Sequence, residues 1–310
     1  MPLFEIKNQS LSPVEQTNFV NEKQLQKLVE QNLKPIFNCR FVASEFPTGS
    51  QHAGRIDTLA LSEDDNPVII EYKKVESADL ITQSLYYLHW IQDHRGDFEL
   101  EASKKFGEKT RVDWSDVRVI CIAPNYKKFD LHAVQVMGAN IELWQYRLFQ
   151  NDCLYLEEIF RKTVNTDPTT DGITKNPVMV AAGKKAAQTR KTATYNFEQH
   201  LAGKPEQIKN LALQVREFVL GLDAAIQEVP KKIYVAYKLS QNIVCMDVKK
   251  KIVILYVKLN PKGIATLPSI GRDVTLIGHF PCNLELVLKS ASDFETAKPF
   301  IIQAYQKIGG

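Results

Sequence analysis

Three polar side chains, Asp57, Glu71 and Lys73, fall where two short apolar runs would end as strands. The stretch from Gly54 reads Gly-Arg-Ile-Asp-Thr-Leu-Ala-Leu. An acidic turn follows over Ser62–Asn66, and then Pro-Val-Ile-Ile-Glu-Tyr-Lys-Lys ends at Lys74. Residues i and i+2 of a strand share a face, so Glu71 and Lys73 emerge together, and pairing the runs as a hairpin brings Asp57 to the same place. A Mg²⁺-like cation takes hard oxygen ligands, with one or two carboxylates from the protein and water for the rest. Asp57 and Glu71 supply the carboxylates, and the backbone carbonyl of Tyr72 can add a third oxygen. A lysine beside the metal can orient or deprotonate the attacking water, or stabilise charge on a phosphorane-like transition state. The chemistry indicated is metal-assisted phosphodiester hydrolysis. The same residues also admit a purely structural reading, in which Asp57 caps a turn and Glu71 and Lys73 form a surface ion pair worth under about 1 kcal/mol.

The surrounding elements must hold these residues in place. Leu25, Leu28, Val29 and Leu33 make one helical stripe over residues 22–33, with Asn21 as N-cap. A strand is expected over Phe37–Phe46, followed by a turn at Pro47–Ser50. After the Glu71 strand, Ser77 caps a helix carrying Leu80, Ile81, Leu85, Leu88 and Trp90, and more helix follows over Asp97–Phe106. Val117–Ala123 is a continuous apolar run typical of a buried strand. Lys128–Met137 reads as helix, and Asn140–Phe149 with Leu154–Ile159 as a closing strand pair around Gln150-Asn151-Asp152. This mixture predicts an α/β domain with a mixed sheet flanked by helices.

At 310 residues the chain has room for two domains, and its 44% hydrophobic and 24% charged content is that of a globular protein. The first domain is expected over 1–162. A flexible linker, rich in Thr, Ala, Lys and Asn, follows over 163–195. A smaller α+β domain then fills 196–310. It reads as a helix over Pro205–Leu220, strands at Lys232–Lys238, Ile243–Asp247, Lys251–Leu259 and Leu284–Lys289, and a final helix over Ser292–Lys307. A loop carries Gly271-Arg272-Asp273 and Gly278-His279 between the last strands.

No apolar run approaches the roughly 20 residues that span a bilayer. The start, Met1-Pro-Leu-Phe-Glu-Ile-Lys, lacks a signal-peptide pattern. Five scattered cysteines without a CxxC spacing argue against a disulfide framework or zinc site and for a cytoplasmic location. Residues 1–160 hold 17 basic and 24 acidic residues, a net of −7, whereas 161–195 and 196–310 each carry +5. A polyanion would land more readily on the linker and second half, although a surplus of this size also fits solvated surface.

With these residues in view, the chain from about 15 to 160 resembles the PD-(D/E)XK (restriction-endonuclease-like) nuclease superfamily, in particular the branch related to archaeal single-strand and mismatch endonucleases. The resemblance rests on four elements in order: Glu22 opening the first helix, Gly54-Arg55-Ile56-Asp57, Ile69-Ile70-Glu71-Tyr72-Lys73, and a helix carrying Gln83-Ser84-Leu85-Tyr86-Tyr87. It implies a deoxyribonuclease dependent on Mg²⁺ or Mn²⁺. Asp57 and Glu71 would ligate the metal together with the Tyr72 carbonyl, and Lys73 would serve the nucleophilic water. Glu22 would hold an outer-sphere water, with Glu30 on the same helix as its competitor, and Gln83 would orient a ligand or phosphate. Arg55, Lys74 and Tyr86 are candidates for contact with DNA. Arg55 has an alternative as the partner of Asp64 or Asp65, and Gln83 as a polar residue closing a helix–sheet hydrogen bond. A homodimer is one assembly open to such a protein.

Other residues rank lower. His52, His89 and His94 read better as loop or helix surface than as substrate contacts, and Trp114, Trp144 and Tyr146 better as core than as stacking platforms for bases. Residues 203–308 resemble a bacterial domain of unknown function, some of whose members are labelled as predicted transport proteins. Its marks are Val229-Pro230-Lys231-Lys232-Ile233-Tyr234 and Arg272-Asp273-Val274 with Ile277-Gly278-His279. An Asp273–His279 dyad competes there with a plain structured turn. A binding or assembly module is expected, its lysines (Lys231, Lys232, Lys238, Lys249, Lys250, Lys251 and Lys258) available to phosphates.

Overall fold

Strands drawn from residues 16–161 build one mixed sheet in the computed structural model, which describes residues 2–49, 54–76, 79–137, 140–161, 195–277 and 282–308. The chain divides into two compact units on either side of residue 194. Ser77, His52, Gly278, His279 and the expected linker, Tyr195 excepted, lie outside the described residues.

In the first unit, β1 (Leu3–Lys7) and β2 (Ser10–Val14) form a separate antiparallel hairpin, and β3 (Gln16–Thr17) joins the main sheet. Next come α1 (Glu22–Gln31), α2 (Leu33–Phe37), β4 (Arg40–Pro47), β5 (Arg55–Leu61) and β6 (Pro67–Tyr72). Then follow α3 (Asp79–Asp93), α4 (Arg95–Phe106), β7 (Arg118–Ala123), α5 (Lys128–Met137), β8 (Ile141–Phe149) and β9 (Leu154–Arg161). The sheet runs β3-β8-β7-β6-β5-β4, with β9 also on β8. Strands β4, β5 and β6 are antiparallel, while β6, β7 and β8 are parallel and linked through helices, as parallel neighbours require.

Local chemistry explains the elements nearest the site. The Asn21 side chain accepts the Gln24 N–H at 2.9 Å and starts α1. At the β5–β6 turn, Ser62 N–H donates to the Asn66 carbonyl at 2.9 Å, while Ser62 Oγ accepts the N–H groups of Asp64 and Asn66. Every residue of β6 and β7 is buried, because helices cover both faces of the sheet. Leu25, Val29, Leu33 and Phe37 of α1 and α2 pack on Val68, Ile70 and Tyr72. Leu80, Leu85, Leu88 and Phe98 of α3 and α4 pack on Leu59, Ile69 and Cys121 on the other face.

The second unit is a six-stranded antiparallel sheet ordered β10 (Gln227–Pro230), β11 (Val235–Lys238), β12 (Asn242–Val248), β13 (Val253–Val257), β15 (Leu284–Leu288) and β14 (Gly271–Asp273). Helices α6 (Phe197–Leu201), α7 (Glu206–Leu220) and α8 (Ala291–Lys307) contribute to its apolar core. Gly271-Arg272-Asp273, expected as loop, is the edge strand β14. Its pairing with β15 supplies the order that so short a polar run does not encode. No helix among the described residues is long and apolar enough to cross a membrane.

Candidate active site

The antiparallel register that pairs Thr58 with Ile70 places Asp57 opposite Glu71. Two hydrogen bonds lock them: the Asp57 N–H donates to Glu71 Oε1, and the Tyr72 N–H to Asp57 Oδ2, both at 3.1 Å. Glu71 is only 3% exposed. Burial pushes its carboxyl well above the ordinary range. The neighbouring Asp57 charge pushes the same way, and the Asp57 N–H and Lys73 offset only part of it. Asp57 is raised too, again mainly by burial, against the Tyr72 N–H and the Lys73 charge. A surface ion pair of Glu71 with Lys73 is therefore not what forms, because parallel β7 and the α3 face enclose Glu71.

Lys73 approaches Glu22 instead, with Nζ 4.0 Å from Oε2. The same Glu22 oxygen accepts the Lys74 N–H at 3.0 Å, so the opening turn of α1 holds the chain leaving β6. The Lys74 ammonium bonds the Val20 carbonyl at 2.8 Å. Gln83 is exposed on α3, and Tyr86 is half-buried with its ring centre 6.0 Å from that of Tyr87. Arg55 pairs with Glu45, not with Asp64 or Asp65, and Asp65 is taken by Arg40. Arg55 opens β5 while those aspartates follow its far end, and a strand advances about 3.3 Å per residue.

Several supporting residues escaped the sequence reading. Gln26 Nε2 donates to the Asp57 carbonyl at 2.7 Å, to Glu30 Oε1 at 2.9 Å and to Ser44 Oγ at 3.1 Å. Glu30 also accepts the Thr58 hydroxyl at 2.7 Å, which lies 3.3 Å from the Tyr72 hydroxyl. Glu22, Gln26 and Glu30 recur every four residues on α1, a polar stripe beside the apolar one. That spacing was the available signal, and it assigns Glu22 to the lysine end and Glu30 to the buried network. Tyr87, neighbour of the expected Tyr86, accepts the Arg55 N–H at 3.2 Å. A Cβ on Gly54 would stand 2.9 Å from the Tyr87 ring and 3.0 Å from Thr48 Oγ1, so only glycine fits there.

The lower-ranked residues fall largely in the core or on helices. Trp144 and Tyr146 are buried. Trp114 is half-buried against Phe98, and Trp114 Nε1 donates to Glu99 at 2.6 Å. His94 stacks on Trp90, and His89 pairs with Asp93 along α3. Asp273 accepts the Thr275 N–H at 2.9 Å.

The donor set fits a hard divalent cation. Half-buried Asp57 and buried Glu71 bring like charges side by side, an arrangement that a cation relieves. An extended residue turns its N–H and C=O to the same edge, so the Tyr72 carbonyl faces β5 along with its N–H. Among the described residues no three His, Cys, Asp or Glu side chains gather to hold a metal, so the carbonyl and water would complete the shell.

Residues 197–307 match the model of a domain of unknown function, DUF5655. Over 309 residues the chain is 28% identical to an uncharacterised protein of Haemophilus influenzae, covering 98% of this chain and 99% of that one. Among solved structures it is similar to EndoMS in a complex with double-stranded DNA, at 17% identity over 42% of this chain and 47% of that one, with a TM-score of 0.26. A repair endonuclease from Pyrococcus abyssi matches at 19% identity over 42% and 49% of the two chains, with a TM-score of 0.24. The chain thus spans about half the length of either endonuclease. At these scores the likeness carries nothing about activity.

Proposed function

We propose that the first unit is a Mg²⁺- or Mn²⁺-dependent nuclease that hydrolyses phosphodiester bonds in DNA. The observation that carries this reading is the pairing of half-buried Asp57 with buried Glu71, each carboxylate held by a backbone N–H at 3.1 Å, with the Lys73 ammonium beside them. Core packing has no use for a buried carboxylate beside a half-buried one, an arrangement that only lowers stability unless something binds them. Asp57, Glu71 and the Tyr72 carbonyl would hold the cation, which when bound polarises the phosphate and lowers the pKa of a water. Lys73 then orients the attacking water and stabilises charge as the phosphorus centre is attacked. Glu22 anchors the Lys73-Lys74 segment through the Lys74 N–H, with the Lys73 ammonium 4.0 Å from the same oxygen. Arg55, Lys74 and Tyr86 are the candidate contacts to DNA. The second unit, with its net +5 over 196–310, serves as the module that helps bind substrate or partner.

Calorimetric titration of Mn²⁺ into wild type and Asp57→Asn, alongside cleavage of labelled DNA by Lys73→Ala, tests this. The expected result is metal binding lost in the first variant and cleavage lost in the second, with both folded. Wild-type-like Mn²⁺ binding by Asp57→Asn, or wild-type-like cleavage by Lys73→Ala, defeats the reading.

A second reading is favoured by one observation, the net −7 over residues 1–160, which repels DNA. In it the first unit keeps a nuclease fold as a nucleic-acid-binding or scaffolding protein without turnover. Absence of Mn²⁺ binding by wild type would select it.

A further inference from the structure

Glu45 stands across from Asp57, because the pairs Ser44–Thr58 and Phe46–Ile56 bracket it in the β4–β5 register. Its φ of 55° lies in the left-handed region, where a non-glycine residue is strained and which recurs at functional sites. Cations engage both carboxylate oxygens. Oε1 takes the Lys23 ammonium at 2.7 Å from the first turn of α1, and Oε2 takes the Arg55 guanidinium from the start of β5. The side chains of these two cations nonetheless stay 45% and 64% exposed. One anion on a strained backbone therefore clasps two solvent-facing cations next to the Asp57–Glu71 pair.

We propose that Lys23 and Arg55 form a phosphate subsite beside Asp57 and Glu71, and that Glu45 occupies it in the free protein until a backbone phosphate of the nucleic acid displaces its carboxylate. Naming nucleic acid as the polyanion rests on the function proposed above. The chemistry is an exchange of like for like. A carboxylate and a backbone phosphodiester each carry one negative charge and present oxygens that an ammonium and a guanidinium can share. With each oxygen already on a cation, Glu45 serves as a clasp. The exchange offsets part of the repulsion from the unit's net −7. An oligonucleotide would gain the two cations only where its backbone lies across Asp57.

The test is binding of the full chain to a fluorescent single-stranded oligodeoxynucleotide in EDTA over a series of salt concentrations, with melting curves to confirm folding. Glu45→Gln is expected to tighten binding several-fold. Lys23→Ala combined with Arg55→Ala is expected to weaken binding and to flatten the slope of log K against log salt by about 0.7, the contribution of one phosphate. Should Glu45→Gln fail to fold, Glu45→Asn replaces it, since asparagine tolerates positive φ. Unchanged affinity in the charge-removing variant, or wild-type binding by the double variant, overturns the proposal. EDTA withholds the divalent cation that the proposed cleavage needs, so the result stands apart from the Asp57→Asn and Lys73→Ala tests of catalysis.

Discussion

Asp57 and Glu71 bind each other's strand: each carboxylate accepts a backbone N–H at 3.1 Å, from Tyr72 and from Asp57 respectively. The pair is built into the ladder between β5 and β6, so its geometry does not depend on loop order. It also places two like charges in a site that burial makes hostile to either of them.

Removing one charge should therefore stabilise the metal-free protein. Asp57→Asn keeps an oxygen for the Tyr72 N–H and is expected to raise stability by about 1 kcal/mol, or about 2–4 °C in Tm for a unit of this size. Differential scanning calorimetry in EDTA reads this directly. Unchanged or lower melting would show that the pair is not strained.

The pH dependence follows with a definite sign. Both carboxyls have folded-state pKa values raised above the ordinary 3.8 and 4.5, so the folded state binds protons more tightly than the unfolded one. Their contribution is full below the ordinary values and is lost as pH rises through the raised ones. Urea midpoints of the metal-free protein should fall over that window. Glu71→Gln should flatten the fall, and saturating Mn²⁺ should reverse it.

Gly54→Ala should lower stability by about 1–3 kcal/mol, because its Cβ would sit 2.9 Å from the Tyr87 ring. Cleavage should fall as well, since a shift of β5 moves Asp57. Denaturant midpoints and cleavage rates measured together check this, and wild-type values in both would contradict the packing described.

Gln26→Leu keeps the volume but strips the hydrogen bond to the Asp57 carbonyl and the donor to Glu30. A loss of about 1–3 kcal/mol in urea unfolding is expected. Mn²⁺ affinity should weaken alongside it, which a merely structural glutamine would not cause.

Arg118 and Glu142 provide the contrast. They form a buried fork with bonds of 2.6 and 2.8 Å, and Arg118 lies three residues before Cys121, the register partner of Glu71. Arg118→Met should cost about 3–5 kcal/mol by stranding the Glu142 charge. Mn²⁺ binding measured under conditions where the variant remains folded should be unchanged.

Much of the fold was legible because its signals are local. The Asn21 cap, the apolar stripe of Leu25 and Val29, the unbroken Val117–Ala123 run and the Ser62–Asn66 turn each act through neighbours a few residues away. The hairpin β1–β2 and the edge strand β14 were not legible, since Ser10–Val14 and Gly271–Asp273 are short, polar and ordered by their pairing partners. Glu45 was invisible for the same reason. Its role comes from standing across from Asp57 and between Lys23 and Arg55, at separations no periodicity marks.

The sequence by itself determined which chemistry was on offer: two carboxylates and a lysine at strand ends, spaced so that Glu71 and Lys73 share a face. Tertiary structure decided which of these is buried and which cation each acid meets. It enclosed Glu71, gave Lys73 to Glu22, and gave Arg55 to Glu45. The division is physical. Strand parity is fixed by the covalent chain, whereas burial and charge pairing depend on which distant elements close over a residue, and that only packing sets.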